Sequence, residues 1–242
     1  MAADLFPPVF WEIHDGNPRE GPGCREATLR ALQMTGGLPM RSRILDVGCG
    51  PGAQTHDLAG AGGSWIVAVD NHLPYLAAHS GEWGRAAADM TALPFRDGAF
   101  DLVWAEGSVY IAGFEEGLRR WRRLLRPGGA VAVTEISWLN PAPPPPLRDF
   151  WAAAYPAIRG IDGNLNAMER AGYRPAGHFV LPEEAWWSYY RPLEARLRAL
   201  RTRHAGDPGA LEVLDEEQRE IDLYRRYSEF YGYVFYIGHR AD

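Results

Sequence analysis

Arg43-Ile44-Leu45-Asp46-Val47-Gly48-Cys49-Gly50-Pro51-Gly52-Ala53-Gln54 is the stretch on which the fold turns. Residues 44–47 are apolar and β-prone. Three glycines and a proline then precede a helical pattern that opens near Gln54. A strand running into a glycine turn and then a helix is the entry to a strand-helix-strand unit. Without Cβ atoms the backbone can pass close to a ligand's amino-acid end and ribose, and free N–H groups at the helix opening favour a carboxylate. The turn alone does not name the ligand, because Gly48, Gly50 and Ala53 also satisfy the dinucleotide pattern.

Apolar runs recur at 66–69, 102–105 and 130–135, with helical segments expected at 54–59, 73–79 and 115–125. The last helix is expected to stop at Arg126-Pro127-Gly128-Gly129. Such alternation implies an α/β fold with a parallel sheet. Upstream, residues 2–23 mix Phe6, Phe10, Trp11, Pro18 and Pro22 and read as an entry strap, followed by a helix at 24–34. After the stiff proline run 141–146, helices are expected at 147–155 and 165–171, and a short strand at 179–181. Two long helices, 183–204 and 209–231, separate that strand from a closing strand at 233–238. An insertion of that kind between two strands forms a cap. The expected organisation is one domain over 1–242, with strap and first helix in 1–40, a ligand-binding core in 41–140 and the cap in 183–231.

The chain has 242 residues, nearly half of them apolar, enough to bury a full core. No apolar run approaches the roughly 20 residues of a membrane span, and Met1 to Pro8 lacks the pattern of a signal peptide. Cys24 and Cys49 are the two cysteines, with Cys49 inside the glycine turn, so a disulfide scaffold is not expected and a reducing cytoplasm fits. A formal net charge of −6 argues against a nucleic-acid partner. The chain contains no lysine, which excludes a Schiff-base mechanism. The histidines are scattered without ligand spacing, so no metal is expected. Ser108 lacks the flanking glycines of a nucleophile elbow.

Asp70 closes the second apolar run about 20 residues beyond the glycine turn, where a carboxylate can accept both hydroxyls of a ribose. Asp89-Met90 precedes Leu93-Pro94-Phe95, and 97–104, DGAFDLVW, leads into the run at 102–105. Together ILDVGCGPG, VAVD, DMTALPF, DGAFDLVW and LLRPGG, in this order over roughly residues 41–137, resemble the class I S-adenosylmethionine-dependent methyltransferases. Within them the chain is similar to the ubiquinone and menaquinone biosynthesis branch. FWEIHDGNPREGPG, WAEGSVYIAGF and YGYVFYIGHR are similar to bacterial methyltransferases of unassigned substrate.

The resemblance implies a Rossmann-like seven-stranded sheet, mostly parallel with its last strand antiparallel, and S-adenosyl-L-methionine as cofactor, leaving S-adenosyl-L-homocysteine. It implies that Asp46 and the backbone of Gly48, Cys49 and Gly50, with Gln54 and Thr55 at the helix opening, hold the methionine part. Asp70 and Asn71 would face the ribose, and Asp89 with Met90 the adenine edge. Glu106 and Gly107 would border the sulfonium, with Tyr110 one turn on. The chain departs from the family pattern between Asp70 and Asp89, where helix and strand look short.

In-line methyl transfer needs acceptor, carbon and sulfur collinear, and a hydroxyl or protonated amine acceptor also needs a base. His14 and Glu106 are the candidate bases, each with a plainer role open to it, capping a turn or orienting the cofactor. Trp151, Tyr155 and Trp187 are candidate acceptor contacts. The other cap aromatics, including Trp186, Tyr190, Tyr224 and Tyr231, match a packed helix stripe. The arginines of 119–126 alternate with Glu115 and Glu116 as a solvated face. The expected acceptor is a small metabolite taken up by a monomer or homodimer, with neither membrane nor nucleic acid involved. Two other readings remain at this stage: a non-catalytic cofactor-binding protein, and a nicotinamide-dependent oxidoreductase.

Overall fold

The computed structural model describes residues 7–39, 41–62 and 64–242; the start of the expected strap, including Phe6, lies outside the described residues. In chain order the elements begin with helices α1 (Pro8–His14) and α2 (Arg25–Met34), strand β1 (Arg43–Val47), α3 (Ala53–Gly60), β2 (Trp65–Asp70), α4 (Leu73–Ala78) and β3 (Gly84–Ala87). They continue through β4 (Phe100–Ala105), α5 (Val109–Ala112), α6 (Phe114–Arg122), β5 (Leu125–Trp138), α7 (Pro145–Ala154), β6 (Arg159–Gly160) and α8 (Ile161–Arg170). The chain closes with β7 (Tyr173–Val180), α9 (Glu183–Arg203), α10 (Pro208–Tyr227) and β8 (Tyr231–Arg240).

Seven strands form one sheet in the order β3-β2-β1-β4-β5-β8-β7, and the two-residue β6 adds an eighth beside β5. β6 pairs with Ser137 and Trp138, beyond the point where β4 stops at Ala105. β8 runs antiparallel to both β5 and β7, while the pairs among β1 to β5 are parallel. The sheet is therefore Rossmann-like with a reversed last strand, and the order changes direction between β1 and β4. At that switch the carboxyl ends of neighbouring strands splay apart and leave a crevice.

Both faces of the sheet are covered. Leu45, Val47, Val103, Val131 and Val133 pack under Leu118, Trp121 and Met168 of α6 and α8. On the other face Ile44, Leu102, Trp104 and Ala132 pack with Ala27 and Ala31 of α2 and Leu58 of α3. Leu45 is fully buried, so truncation to alanine would cost about 2–5 kcal/mol. A third cluster joins α1, α9 and α10 through Ile13, Trp186, Leu197, Leu214 and Tyr224, with Trp186 stacked on Tyr224 at 4.1 Å.

Several boundaries differ from the sequence expectation. The helix expected to run to residue 125 ends at Arg122, and Leu125 already pairs with Phe100. Arg126-Pro127-Gly128-Gly129 sits inside β5 as an irregularity before the ladder resumes at Ala130, with Gly128 at φ +72°. The expected strand at 179–181 falls at the end of the longer β7, whose earlier residues Arg174, Pro175 and Gly177 break the apolar pattern and are tolerated because β7 is an edge strand. The second cap helix stops at Tyr227, because Tyr231 is taken into β8 opposite Trp138. The strap contains a helix, α1, that composition did not suggest, with Pro8 at its first position.

Candidate active site

The turn after β1 is set by glycines where other residues would not fit. Gly48 has φ +70°, and a Cβ there would lie 2.4 Å from the Ser108 Cβ. Its N–H and that of Cys49 both donate to the Val69 carbonyl, at 2.8 and 3.0 Å, which ties the turn to the end of β2. Ser108 donates to the Val47 carbonyl at 2.7 Å and fixes the end of β4 against the same turn. Gln54 closes the loop by donating to the Cys49 carbonyl at 2.9 Å.

Asp70, at the end of β2, accepts from the Gly50 N–H at 2.9 Å and from the His72 N–H at 2.8 Å. Beyond it, Asp89 accepts from the Thr91 hydroxyl and the Thr91 N–H, each at 2.7 Å, and these local bonds hold its carboxyl below the usual range. The Met90 carbonyl accepts from Trp121 at 2.9 Å, anchoring that loop to α6. Gly107 follows β4 and donates its N–H to Thr134 at 2.7 Å.

These pieces surround a cavity of about 610 Å³ at the carboxyl ends of β1, β2 and β4. Gly48, Cys49, Gly50, Gln54, Asp70, Asn71, Asp89, Met90, Glu106, Gly107, Tyr110 and His14 all line it, twelve positions singled out by sequence. Asp46 and Thr55 do not. Both are fully buried below the turn, where Thr55 donates to Asp46 at 2.6 Å, and burial pushes the Asp46 carboxyl up to about 7. They sit beneath the loop and not in the cavity wall where sequence placed them, and the second Asp46 oxygen has no hydrogen-bond partner among the described residues.

The outer wall comes from the strap. Trp11 of α1 lies flat on His72, ring centroids 4.0 Å apart and planes within 5°, and His72 in turn meets Tyr75 edge-on at 4.5 Å. The Glu20 side chain lies over Gly50, so a Cβ on that glycine would sit 3.6 Å from it. Arg19 latches the strap down: it donates to Glu106 at 3.0 Å and to Asp57 at 3.1 Å, and Arg25 adds a second bond to Asp57 at 2.9 Å.

That latch decides what Glu106 can do. Its carboxylate also accepts from Thr28 at 2.7 Å and from the Trp104 indole at 3.0 Å, so three side chains hold it. Burial pushes its pKa up while Arg19 opposes the shift most strongly. A carboxylate so fully engaged is a clamp between β4, α2 and the strap, and this corrects its expected place as a general base. His14 is different: it is 6 % exposed, its Nδ1 lies 2.7 Å from Glu20, and its Nε2 has no hydrogen-bond partner among the described residues.

The three aromatics expected at the acceptor separate. Tyr155 meets Tyr110 edge-on at 6.0 Å beside the cavity. Trp151 packs against Tyr231 at 5.3 Å in the cap core, and Trp187 lies on the cap under Arg225 while donating to Glu183. None of the three lines the cavity: the tryptophans face α10 and β8, and Tyr155 reaches only the ring of Tyr110 at its edge. Arg19, Glu20, Trp11, His72 and Tyr75 were not singled out by sequence, although the FWEIHDGNPREGPG stretch contains three of them.

A methyltransferase domain model matches residues 45–133. The demethylmenaquinone methyltransferase of Mycolicibacterium vanbaalenii is 38 % identical over 180 residues, covering 72 % of each chain. The chain belongs to the class I S-adenosylmethionine-dependent methyltransferases. A malonyl-[acyl-carrier protein] O-methyltransferase of Pseudescherichia vulneris is 35 % identical over 128 residues, 51 % of this chain and 47 % of that one. Among solved structures, an S-adenosylmethionine-dependent methyltransferase of Geobacter sulfurreducens in complex with S-adenosyl-L-homocysteine superposes with a TM-score of 0.80 at 20 % identity, over 96 % of this chain and 98 % of that one. The methyltransferase uses S-adenosylmethionine and transfers its methyl group to a small molecule, which sets aside the nicotinamide reading. The cradle fits that cofactor on its own evidence: Gly48 and Gly50 line the cavity without a side chain, and a Cβ would strike Ser108 at the first and meet Glu20 at the second.

Proposed function

We propose that the methyltransferase holds its cofactor on the glycine turn and deprotonates the acceptor with His14, oriented by Glu20. In this reading the backbone of Gly48 to Gly50 and Gln54 hold the methionine end, Asp70 and Asn71 the ribose, and Asp89 with Met90 the adenine. Gly107 and Tyr110 border the acceptor side. Asp46, Thr55 and Glu106 position these groups without touching the cofactor. When bound, S-adenosylmethionine supplies a methyl group on a cationic sulfonium, already activated for displacement. The chain's own task is alignment, for which well-placed reactants contribute roughly 7–11 kcal/mol, and removal of a proton.

The observation that carries the base assignment is the His14 environment. Glu20 accepts from the Nδ1–H, and Nε2, in a wall of the cavity, has no hydrogen-bond partner among the described residues and is placed to take an acceptor's proton. Glu106 offers no comparable free site. The cap at 183–231 and the strap complete one methyltransferase domain in this reading. The proposal extends to a cytoplasmic monomer or homodimer, supported by two unpaired cysteines and by the absence, among the described residues, of any helix long and apolar enough to cross a membrane.

Calorimetric titration with S-adenosyl-L-homocysteine, beside NAD, tests the cofactor site. Turnover of His14→Asn with an active acceptor tests the base: a kcat lower by about 10²–10⁴ with unchanged product affinity is expected. Stabilisation by NAD and not by S-adenosyl-L-homocysteine would overturn the cofactor assignment, and an unchanged kcat would overturn the base.

A further inference from the structure

The segment between β2 and β3, where the chain departs from the family pattern, closes on the back of the glycine turn. His79 follows the last residue of α4 and is 6 % exposed. Its Nε2 lies 2.8 Å from the Gly50 carbonyl oxygen, and the Trp83 indole donates to its Nδ1 at 2.9 Å. The Cys49 sulfur stands farther off, 3.9 Å from the same Nε2. Arg85 of β3 donates to the His79 carbonyl at 2.8 Å and to the Leu76 carbonyl at 3.3 Å, which fixes the backbone that carries the imidazole.

Two glycines make room for this arrangement. A Cβ at Gly52 would lie 2.7 Å from the His79 Nε2, and one at Gly81 would lie 1.8 Å from the Trp83 ring. Gly52 does not line the cavity, so the third glycine of the turn accommodates an imidazole behind it. The indole packs with Cys49, Ala68 and Leu76 and meets His56 of α3 edge-on at 6.4 Å, which sets its place independently of the hydrogen bond.

The hydrogen-bond partners fix the tautomer. An indole nitrogen donates and does not accept, so Nδ1 of His79 is the acceptor and carries no hydrogen. The neutral ring then has its hydrogen on Nε2 and gives it to Gly50. The Gly50 N–H is already held by Asp70 at 2.9 Å. Both polar groups of that residue are therefore taken, one by the carboxylate proposed for the ribose and the other by a ring outside the cavity wall.

We infer that His79 is a positioning residue for the cofactor: in the Nε2–H tautomer that Trp83 selects, it holds the Gly50 carbonyl and keeps the turn and Asp70 in their binding shape. This rests on the assignment of the turn to S-adenosylmethionine and adds a pair of residues that act on it without touching the ligand. Without the bond the turn occupies its binding shape for a fraction of the time, and the apparent affinity falls by that fraction.

The test is calorimetric titration of S-adenosyl-L-homocysteine into the wild-type protein, His79→Leu, His79→Gln and Trp83→Phe. His79→Leu fills the space without a donor and should weaken binding about tenfold. A glutamine brings an amide N–H to the place of Nε2, so His79→Gln should stay within about threefold of wild type. Trp83→Phe keeps an aromatic ring in the packing, removes the donor that selects the tautomer, and should weaken binding about threefold. In the wild-type protein, nitrogen-resolved NMR of the histidine side chains should show His79 protonated at Nε2 and bare at Nδ1 at neutral pH. Should His79→Leu fold poorly, Trp83→Phe and the observed tautomer decide instead. A role in stability alone would lower the Tm of both His79 variants and leave affinity untouched. That result, a His79→Gln as weak as His79→Leu, or a wild-type His79 protonated at Nδ1 overturns the inference and leaves the cofactor assignment intact. Failure of the wild-type protein to bind S-adenosyl-L-homocysteine overturns that assignment instead.

Discussion

Replacing Arg19 by alanine removes the one side chain that joins the strap to both the end of β4 and α3. The Arg19 and Glu106 side chains are 13 % and 3 % exposed, so the pair is largely out of water. Breaking such a pair by deleting one partner costs about 3–5 kcal/mol, because the other charge is left buried. Here Glu106 keeps Thr28 and Trp104, and Asp57 keeps Arg25, which places the loss near the lower end, about 3 kcal/mol. For a chain of this length each kcal/mol moves the midpoint by about 2–4 °C, so Arg19→Ala should lower Tm by about 6–12 °C. Scanning calorimetry checks this, with the double variant Arg19→Ala/Glu106→Gln as the decisive partner: removing the stranded charge should recover part of the loss. The pH dependence has a definite sign. Without Arg19 the buried Glu106 moves further above its unfolded value of 4.5 in the native state, so the native protein holds a proton that the unfolded chain releases, and the deficit relative to wild type grows as pH rises above that value. A Tm change under about 2 °C, or a double variant no more stable than the single one, would refute the latch.

Gly48→Ala places a Cβ 2.4 Å from Ser108 at φ +70°, whereas Gly36→Ala meets nothing within 4 Å at φ +87°. Strain alone is worth about 1–2 kcal/mol, so Gly36→Ala should lose that much stability by denaturant titration and Gly48→Ala clearly more, with loss of cofactor affinity. Asp70→Ala should weaken S-adenosyl-L-homocysteine binding at least about tenfold by calorimetry, since the carboxylate fixed by Gly50 and His72 is the proposed ribose partner. Glu135, raised by burial to about 8 from 4.5, holds a proton in the native state that the unfolded chain has lost. Its contribution is fully present below about pH 4.5 and disappears as pH rises through 8, so Glu135→Gln should flatten the fall in Tm between pH 5 and pH 8; an unaltered slope would show that Glu135 is not buried in its acid form.

The cofactor half of the cavity was legible because its geometry is local. A strand, a glycine turn and a helix opening follow one another within a dozen residues, and Gly48 has the φ of +70° that favours a glycine in such a turn. Asp70 could be placed because strand length fixes where an acid emerges. Asp46 shows the limit of such reading: its position in the motif is clear, yet whether its carboxylate faces the ligand or the loop depends on Thr55, nine residues on and buried with it. The sheet's reversed strand was anticipated through the resemblance, but the length of β7 was hidden by Arg174, Pro175 and Gly177, which an edge strand accepts and a pattern of alternation does not.

The direction taken by the acids of the cap helix was not legible, for a physical reason. Glu217 and Glu220 lie in Leu214-Asp215-Glu216-Glu217-Gln218-Arg219-Glu220-Ile221, where acids occupy every side of the helix and read as a solvated face. Leu214 and Ile221, fully buried against α9 and α1, decide which side of α10 faces the cap core, and Glu217 and Glu220 lie half-buried beside that seam. Glu220 accepts from the Tyr190 hydroxyl at 2.8 Å, while on the outside one arginine, Arg225, pairs with both Glu194 and Asp222. Arginine pairing on the outer face and a tyrosine hydroxyl on the inner one are two ways of satisfying acids on one helix, and a residue pattern alone does not tell them apart.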